Sequence, residues 1–126
     1  MNGSFLKERR RYPRIKLTLD AKYKVLDYEQ VYQFTKTKDI SAEGVCFESH
    51  ELLKPGVFVQ LEVDIKDACP PISMVAEIRW VGDTRSNEDK RYINGVKIIN
   101  MPAKDEVRFL KYYCGIIVEK LSTYLK

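Results

Sequence analysis

The feature that most restricts the fold of this chain is an alternation of apolar and polar residues that recurs along its first hundred positions. In segment 57–65 every second side chain is apolar, and the positions between them include Glu62 and Asp64. A period of two places the two sets on opposite faces of a β-strand with one buried face. Segments 17–25 and 73–81 repeat the pattern, so three half-buried strands are predicted.

Three shorter segments, 31–38, 45–49 and 92–99, are rich enough in β-branched and aromatic residues to be strands as well. Polar stretches and a Pro-Gly turn separate them from their neighbours. Gly95 interrupts the last strand, which predicts a bulge or a close approach of another part of the chain. The side chains of segment 73–81 that are predicted to face the core are Met74, Ala76, Ile78 and Trp80.

After Pro102 the apolar residues recur every three or four positions, which predicts a helix of roughly 20 residues. Its apolar stripe comprises Val107, Leu110, Cys114, Ile117, Leu121 and Leu125, widened by Phe109, Tyr113 and Ile116. So broad a stripe has to be covered, either by an open end of the sheet system or by a second copy of the helix. The pattern permits both a monomer and a homodimer.

Six short strands followed by a helix predict an all-β fold with a C-terminal helix, in the form of a six-stranded antiparallel β-barrel. A chain of 126 residues is expected to form one domain. We divide it into a basic N-terminal arm at 1–16, the barrel at 17–100 and the helix at 101–126.

Positive charge is concentrated at the N-terminus. Residues 1–24 contain eight basic and two acidic side chains and carry +6, whereas the whole chain carries +4, so the remaining residues carry −2. An anionic partner that docks on this first segment is therefore expected.

Other classes of function find little support in the sequence. No run approaches the roughly 18 apolar residues of a membrane span, and the first residues lack the apolar core of a secretory signal, so a cytoplasmic protein is expected. Cys46, Cys69 and Cys114 are widely spaced and His50 is isolated, so no metal site is predicted and the cysteines are expected to be reduced and packed as small apolar residues. No catalytic constellation is present, and neither an enzyme nor a cofactor is predicted.

The arginines of the N-terminal segment are spaced rather than merely clustered. Arg10 and Arg14 lie four residues apart around Pro13, which stiffens the chain. Arginine presents a planar fork that can hold a phosphate or grip the O6 and N7 edge of guanine. This pair is therefore a candidate binding element for a nucleotide.

A second motif, DISAEG at 39–44, lies between two predicted strands. Asp39 and Ser41 are common turn residues and Gly44 is a common provider of positive φ. An aspartate can also accept hydrogen bonds from guanine, and a serine hydroxyl can bond a sugar, base or phosphate. Glycine would let a ligand approach the backbone. Together with the arginine arm, this set of groups suits a guanine nucleotide.

The ordered pair of RxxxR at 10–14 and DxSxxG at 39–44, within a barrel-like strand pattern, resembles the PilZ domain, a family of bacterial receptors for cyclic di-GMP. The similarity extends over nearly the whole chain, including the segments AEIRWVGD and NGVKI. It implies a six-stranded, split-barrel type of β-barrel with a C-terminal helix. It also implies a non-catalytic receptor whose basic arm closes over the nucleotide and signals to a partner protein.

The resemblance assigns a role to each motif residue. Arg10 and Arg14 would grip guanine and phosphate, Asp39 and Ser41 would contact the nucleotide from the barrel, and Gly44 would keep their turn in shape. Arg9 precedes the motif at a position that, in the family, influences whether one ligand or a stacked pair is held, and an arginine there favours the pair.

Two alternatives remain open at this stage. A barrel with a basic arm could bind single-stranded nucleic acid, with Tyr23 or Tyr92 as stacking platforms, but that function leaves the motif at 39–44 unused, and we expect no nucleic-acid partner. A protein-interaction module that no longer uses the ligand would not need both motifs. Because no output domain is recognised in the sequence, a downstream effector protein is an expected partner in any case.

Overall fold

The computed structural model describes residues 13–26, 31–84 and 90–125, with side chains described as far as Thr123. The chain forms seven strands and one helix in these ranges. They are β1 Ile15–Lys16, β2 Asp20–Val25, β3 Gln33–Ile40, β4 Gly44–Ser49, β5 Phe58–Val63, β6 Ile72–Asp83, β7 Tyr92–Asn100 and α1 Ala103–Leu125.

Six of the strands close into an antiparallel barrel. β2 pairs with β5, β5 with β6, β6 with β7, β7 with β4, β4 with β3, and β3 returns to β2. The short β1 pairs with the end of β3, beside β2. The predicted barrel with a C-terminal helix is confirmed, with one additional strand.

The additional strand arises because the predicted strand 17–25 is interrupted. The pairing of β1 with β3 is offset by one residue from the pairing of β2 with β3, so the ladder does not run regularly through residues 17–19. The hydroxyl of Thr37 fills the gap, since it accepts a hydrogen bond from the Leu19 amide at 2.9 Å and donates one to the Leu17 carbonyl at 2.6 Å. The chain therefore forms β1 and β2 where the alternation alone predicts one strand.

The inward faces of the strands make the core, as the period of two predicts. Val59, Leu61 and Val63 of β5 are completely buried, and Ile72 and Ala76 of β6 lie against them. Each large apolar side chain removed from water in this way contributes about 1.5–3 kcal/mol. The hydrophobic effect thus fixes which face of each strand remains available for a ligand.

Trp80 does not follow the prediction that it faces inward. β6 has a register shift between Ile78 and Trp80, so the alternation slips by one residue and the indole lies on the outer face, 40% exposed. There it occupies the space above Gly95, its partner on β7, where any added Cβ would overlap the indole ring. The bulge predicted at Gly95 is confirmed as the register shift opposite it in β6, and the close contact there is with an indole rather than with another backbone. The inward orientation predicted for Trp80 is wrong.

The helix α1 covers the barrel with one part of its predicted apolar surface. Asp105, Phe109 and Tyr113 are buried, in agreement with the prediction for the two aromatic residues. Of the predicted stripe, Val107, Leu110, Cys114 and Leu121 are exposed, whereas Ile117 and the flanking Ile116 pack against the core from its edge. The barrel therefore does not cover these four residues, and their cover by a second copy stays a prediction. The side chain of Leu125 lies outside the described residues.

Polar contacts fix the start of α1. The buried Asp105 carboxylate accepts a hydrogen bond from the Ser73 amide at 3.1 Å, which attaches the first helical turn to β6. Arg108 donates to both carboxylate oxygens of Asp67 and to the Pro70 carbonyl.

In the described part of the chain, no helix has the length and apolar character needed to span a membrane.

The cysteines follow the prediction only in part. Cys46 is buried, but Cys69 and Cys114 are exposed. Within residues 13–26, 31–84 and 90–125, no group of His, Cys, Asp and Glu side chains has the arrangement of a metal site.

Candidate functional site on the outer face of the barrel

β1 brings the end of the basic segment to the end of β3. Ile15 pairs with Ile40 and Lys16 with Asp39, so the exposed Arg14 comes next to the turn that follows β3. The short strand therefore attaches the second arginine of RxxxR beside the DxSxxG motif.

The turn at 41–44 is organised by its own serine. The Ser41 amide donates to the Gly44 carbonyl at 2.8 Å, and the Ser41 hydroxyl oxygen accepts hydrogen bonds from the amides of Glu43 and Gly44 at 3.3 and 3.1 Å. A hydroxyl group has two acceptor positions and one proton. With both acceptor positions engaged, the proton of Ser41 remains to be donated outward.

Gly44 is required for a different reason from the predicted one. Its backbone does not adopt the left-handed conformation, so positive φ is not its role. A Cβ at this position would instead overlap the carbonyl oxygen of Val96 on β7. Gly44 allows the turn to lie directly against β7, where the Glu43 carbonyl accepts a hydrogen bond from the Ile98 amide at 2.8 Å.

The strand registers place five residues in one row across the outer face of the barrel. Lys16 pairs with Asp39, Asp39 with Cys46, Cys46 with Gly95, and Gly95 with Trp80. Directly paired residues of antiparallel strands share a face and lie about 5 Å apart. A cation, a carboxylate, a buried thiol, a glycine covered by the indole, and the indole itself therefore follow one another in this row.

The pKa of the thiol in the middle of the row depends on the charges around it. Burial, followed by the negative charge of Asp39, raises the pKa of Cys46 to about 12, although the positive charges of Arg14 and Lys38 act in the opposite direction. Arg14 and Asp39 thus lie close enough to the same sulfur atom for both to affect it. Among the described residues, neither of these two side chains takes part in a hydrogen bond or an ion pair.

The structure brings together Arg14, Asp39, Ser41 and Gly44, four of the six predicted site residues. Arg9 and Arg10 lie outside the described residues.

Three contributors to the site were missed by the sequence analysis. Lys16 joins through its pairing with Asp39, and Trp80 joins through the register shift in β6. The third is Tyr113 of α1, whose hydroxyl donates a hydrogen bond of 2.6 Å to the Pro13 carbonyl and so attaches the helix next to Arg14. Only Lys16 left a signal in the sequence, as one more positive charge close to the arginine motif.

A cleft of about 900 Å³ lies at the other end of the β3–β4 hairpin. The first half of β3 and the end of β4 line it, with Tyr23, His50 and Arg91. Tyr23, one of the two aromatic platforms considered for single-stranded nucleic acid, is buried there and donates to Glu51 at 2.8 Å. Burial, followed by that hydrogen bond and the charge of Glu51, raises the pKa of Tyr23 above its usual value. Tyr23 cannot stack a base, so this part of the alternative is wrong.

Comparison with known proteins agrees with the family resemblance of the two motifs. The family model of the PilZ domain matches residues 8–114. Among curated proteins, none shows a significant sequence match.

Three solved structures illustrate the similarity of fold. The inhibitor of motility MotI/DgrA of Bacillus subtilis is 20% identical with a TM-score of 0.72, and the match covers 90% of this chain and 53% of that one. The PilZ domain of Escherichia coli YcgR with c-di-GMP is 16% identical with a TM-score of 0.68, covering 94% of this chain and 99% of that domain. The MrkH–c-di-GMP complex of K. pneumoniae is 18% identical with a TM-score of 0.63, covering 92% and 56%. The chain thus spans about half the length of MotI and MrkH.

Proposed function

Because the chain belongs to the PilZ domain family of cyclic di-GMP receptors, we propose that it binds cyclic di-GMP on the outer face of its barrel, between the arginine arm and Trp80. PilZ domains are non-catalytic binding modules. The function proposed here is accordingly recognition of the nucleotide and not its conversion.

The observation that carries the proposal is the row Lys16–Asp39–Cys46–Gly95–Trp80, which begins where RxxxR ends. Cyclic di-GMP presents two phosphates and two guanines, so its site needs cations on one side, and base-edge acceptors and a stacking surface on the other. The row supplies these groups in that order, next to the turn whose serine has a proton to donate.

In the proposed complex, Arg10 and Arg14 hold guanine and phosphate, and Lys16 adds a third positive charge beside Asp39. The Asp39 carboxylate accepts from the guanine N1–H and exocyclic amine, and the Ser41 hydroxyl donates to a phosphate or sugar oxygen. Gly44 keeps this turn against β7. Arg9 extends the arm to a second, stacked nucleotide.

Trp80 supplies an apolar platform for one guanine. It is the only tryptophan of the chain, it is 40% exposed, and its indole lies over Gly95 on the same outer face as Asp39. Stacking of a base on an aromatic ring contributes about 1–3 kcal/mol. The missing side chain of Gly95 leaves the space that the indole occupies.

Ligand binding would then change the surface that the protein presents to a partner. Closing the arm over the nucleotide orders backbone at a cost of about 1–2 kcal/mol per residue, which charge-assisted hydrogen bonds offset. The closed arm creates a surface that a downstream effector protein can distinguish from the open one. Since the contacts are mainly ionic, binding should weaken as the salt concentration rises.

The test is a titration with cyclic di-GMP, followed by calorimetry and by the fluorescence of the single tryptophan. We expect saturable binding with a change in Trp80 emission, and a loss of about 10- to 100-fold in affinity for Arg14→Ala and for Asp39→Asn, since removing one partner of a charged hydrogen bond costs about 1.5–3 kcal/mol.

The matched controls are Arg91→Ala and Asp20→Asn, which remove the same kinds of charge at the cleft on the other end of the β3–β4 hairpin. Their affinity should stay within twofold of the unsubstituted protein. Equal losses for all four variants, or displacement of the nucleotide by single-stranded DNA at matched phosphate concentration, would contradict the proposal.

A further inference from the structure

The helix α1 carries a second apolar face, opposite to the one that covers the barrel. Its exposed members are Val107 at 66%, Leu110 at 38%, Val118 at 61% and Leu121 at 55%, together with Cys114. At 100° per residue these five side chains fall within about 40° on either side of Cys114. A continuous apolar stripe of this kind marks an interaction surface.

The stripe projects beyond the barrel. Phe109 and Tyr113 pack against the core, but every residue from Val118 to Thr123 is exposed. A helical segment without tertiary contacts is only marginally stable in water, because most helical stability in proteins comes from packing of an amphipathic face. The last turns of α1 therefore require a partner for their apolar side chains.

The spacing of the apolar residues along the stripe is the same in both chain directions. Val107 and Leu121 each lie seven residues from Cys114, and Leu110 and Val118 each lie four residues from it. A two-fold axis that relates antiparallel helices reverses the order of residues, so it demands this symmetry of an interface. We propose that the chain forms a homodimer in which two copies of α1 pack antiparallel, with the two-fold axis at Cys114.

The side-chain sizes favour the antiparallel arrangement over the parallel one. In the antiparallel dimer Val107 lies level with Leu121 of the partner subunit, and Leu110 with Val118 of the partner subunit, so each of these layers contains one valine and one leucine. A parallel dimer would instead form layers of two valines alternating with layers of two leucines. Layers of constant volume, with a large residue facing a small one, pack without cavities.

Charges at the edge of the stripe agree with this orientation. The exposed Glu106 would lie about two residues, or about 3 Å along the axis, from Lys120 of the partner subunit, on the same flank of the seam. The two-fold axis produces this pair twice. Antiparallel packing also places the opposite ends of the two helix dipoles together.

The seam is short, which sets the expected affinity. Five layers extend over about 21 Å of helix. We expect a seam of this length to bury less surface than the roughly 800 Å² per partner of a standard interface. We therefore expect a dimer that dissociates in the micromolar range.

Analytical ultracentrifugation of the full chain, over concentrations from about 1 to 300 µM, tests the dimer. The average mass should rise from 14.7 kDa toward twice that value as the concentration increases. Leu121→Glu and Val118→Glu should remain at 14.7 kDa, because each buries a charge in the seam without touching the core. A monomer at every concentration would overturn the proposal.

Thr123→Glu is the matched control. Thr123 is exposed on the same last turns but lies about 180° from Cys114 around the helix, so the same charge there should leave the dimer unchanged. Circular dichroism verifies that all three variants are folded. Loss of the dimer in Thr123→Glu to the same extent would overturn the assignment of the seam.

The orientation is tested by disulfide trapping in a Cys69→Ser, Cys114→Ser background. A chain with Leu110→Cys is mixed with a chain of different mass with Val118→Cys and oxidised mildly. The antiparallel dimer predicts the mixed disulfide in excess, whereas a parallel dimer predicts only the two symmetric disulfides, which would overturn the proposed orientation. None of these measurements uses the nucleotide, so their failure is independent of the proposed function.

Discussion

At the scale of single residues, Gly95 is a glycine because an indole occupies the space that its side chain would need. We predict that Gly95→Ala displaces Trp80 from the outer face. The variant should lose about 1–3 kcal/mol of unfolding free energy, as overpacking does. Its tryptophan emission should shift to the red as the indole becomes more hydrated, and its affinity for cyclic di-GMP should fall. Chemical denaturation, fluorescence spectra and a calorimetric titration measure the three effects.

Gly115→Ala is the natural control, since nothing lies within 4 Å of a Cβ added at this exposed helical position. It should raise the unfolding free energy by about 0.5–1 kcal/mol through helix propensity. If the two alanine variants gained the same stability, the contact with Trp80 would not be what restricts position 95 to glycine.

The sequence predicted residues well where the local pattern decides their environment. The buried face of β5 follows from alternation alone, because no register shift occurs within that strand. Trp80 could not be predicted, since its outward position depends on a shift between β6 and β7 that is set by pairing and not by the residues of β6 themselves. Gly44 was predicted to keep its turn in shape, but the contact that requires a glycine there lies in β7, more than fifty residues away.

At the scale of elements, Glu48 joins three strands. It lies on β4, and its carboxylate oxygens form ion pairs with the Lys38 ammonium of β3 at 2.7 Å and with the guanidinium of Arg91, which precedes β7, at 3.0 Å. These contacts lower the pKa of Glu48 below its usual 4.5. A lowered pKa in the folded state stabilises the protein above about pH 4.5, and this contribution is lost as the pH falls through the folded value.

We therefore predict that Glu48→Gln is less stable than the unsubstituted protein at pH 7, and that the difference shrinks as the pH falls below 4.5. Urea denaturation at several pH values measures it. Glu119→Gln, an exposed substitution on α1, should change the stability at pH 7 by no more than about 0.5 kcal/mol. A constant difference for Glu48→Gln at all pH values would contradict the lowered pKa.

A second prediction at this scale concerns the contact between α1 and the arm. The Tyr113 hydroxyl holds the Pro13 carbonyl one residue before Arg14. Tyr113→Phe removes this hydrogen bond while keeping the ring, so we expect a loss of about 1 kcal/mol of stability and about threefold to tenfold weaker binding of cyclic di-GMP through poorer positioning of Arg14. Calorimetry and denaturation measure the two effects.

Tyr112→Phe is the matched control, because Tyr112 is its neighbour on the helix and packs at the edge of the core. Its ligand affinity should remain unchanged. A loss of affinity in Tyr112→Phe as large as in Tyr113→Phe would mean that α1 acts through its general packing and not through Pro13.

The helix also shows what an amphipathic pattern cannot decide. Its apolar residues extend around much of its circumference, and the sequence left open whether the barrel or a second helix covers them. The structure separates the two faces: Phe109 and Tyr113 turn toward the barrel, and the stripe centred on Cys114 turns away. Periodicity locates apolar residues on a helix, but only the position of the sheet determines which of them face it.

At the scale of the whole molecule, the proposed ligand site and the proposed dimer seam use opposite faces of α1. Tyr113 reaches the arm from the face that packs on the barrel, whereas Leu121 lies on the face turned away from it. Two binding events that share no contacts and no moving element have no coupling free energy. Ligand and second copy should therefore stabilise the fold independently.

Thermal unfolding tests this independence, since anything that binds only the folded state raises its stability by mass action. The melting temperature of the unsubstituted protein should rise both with protein concentration and with cyclic di-GMP, which at a hundredfold excess over its Kd adds about 2.7 kcal/mol. Leu121→Glu should lose the dependence on protein concentration and keep the response to the nucleotide, and Arg14→Ala should do the reverse. A ligand response that disappears in Leu121→Glu would instead show that the two faces of the helix are coupled, and that the receptor binds its messenger only as a dimer.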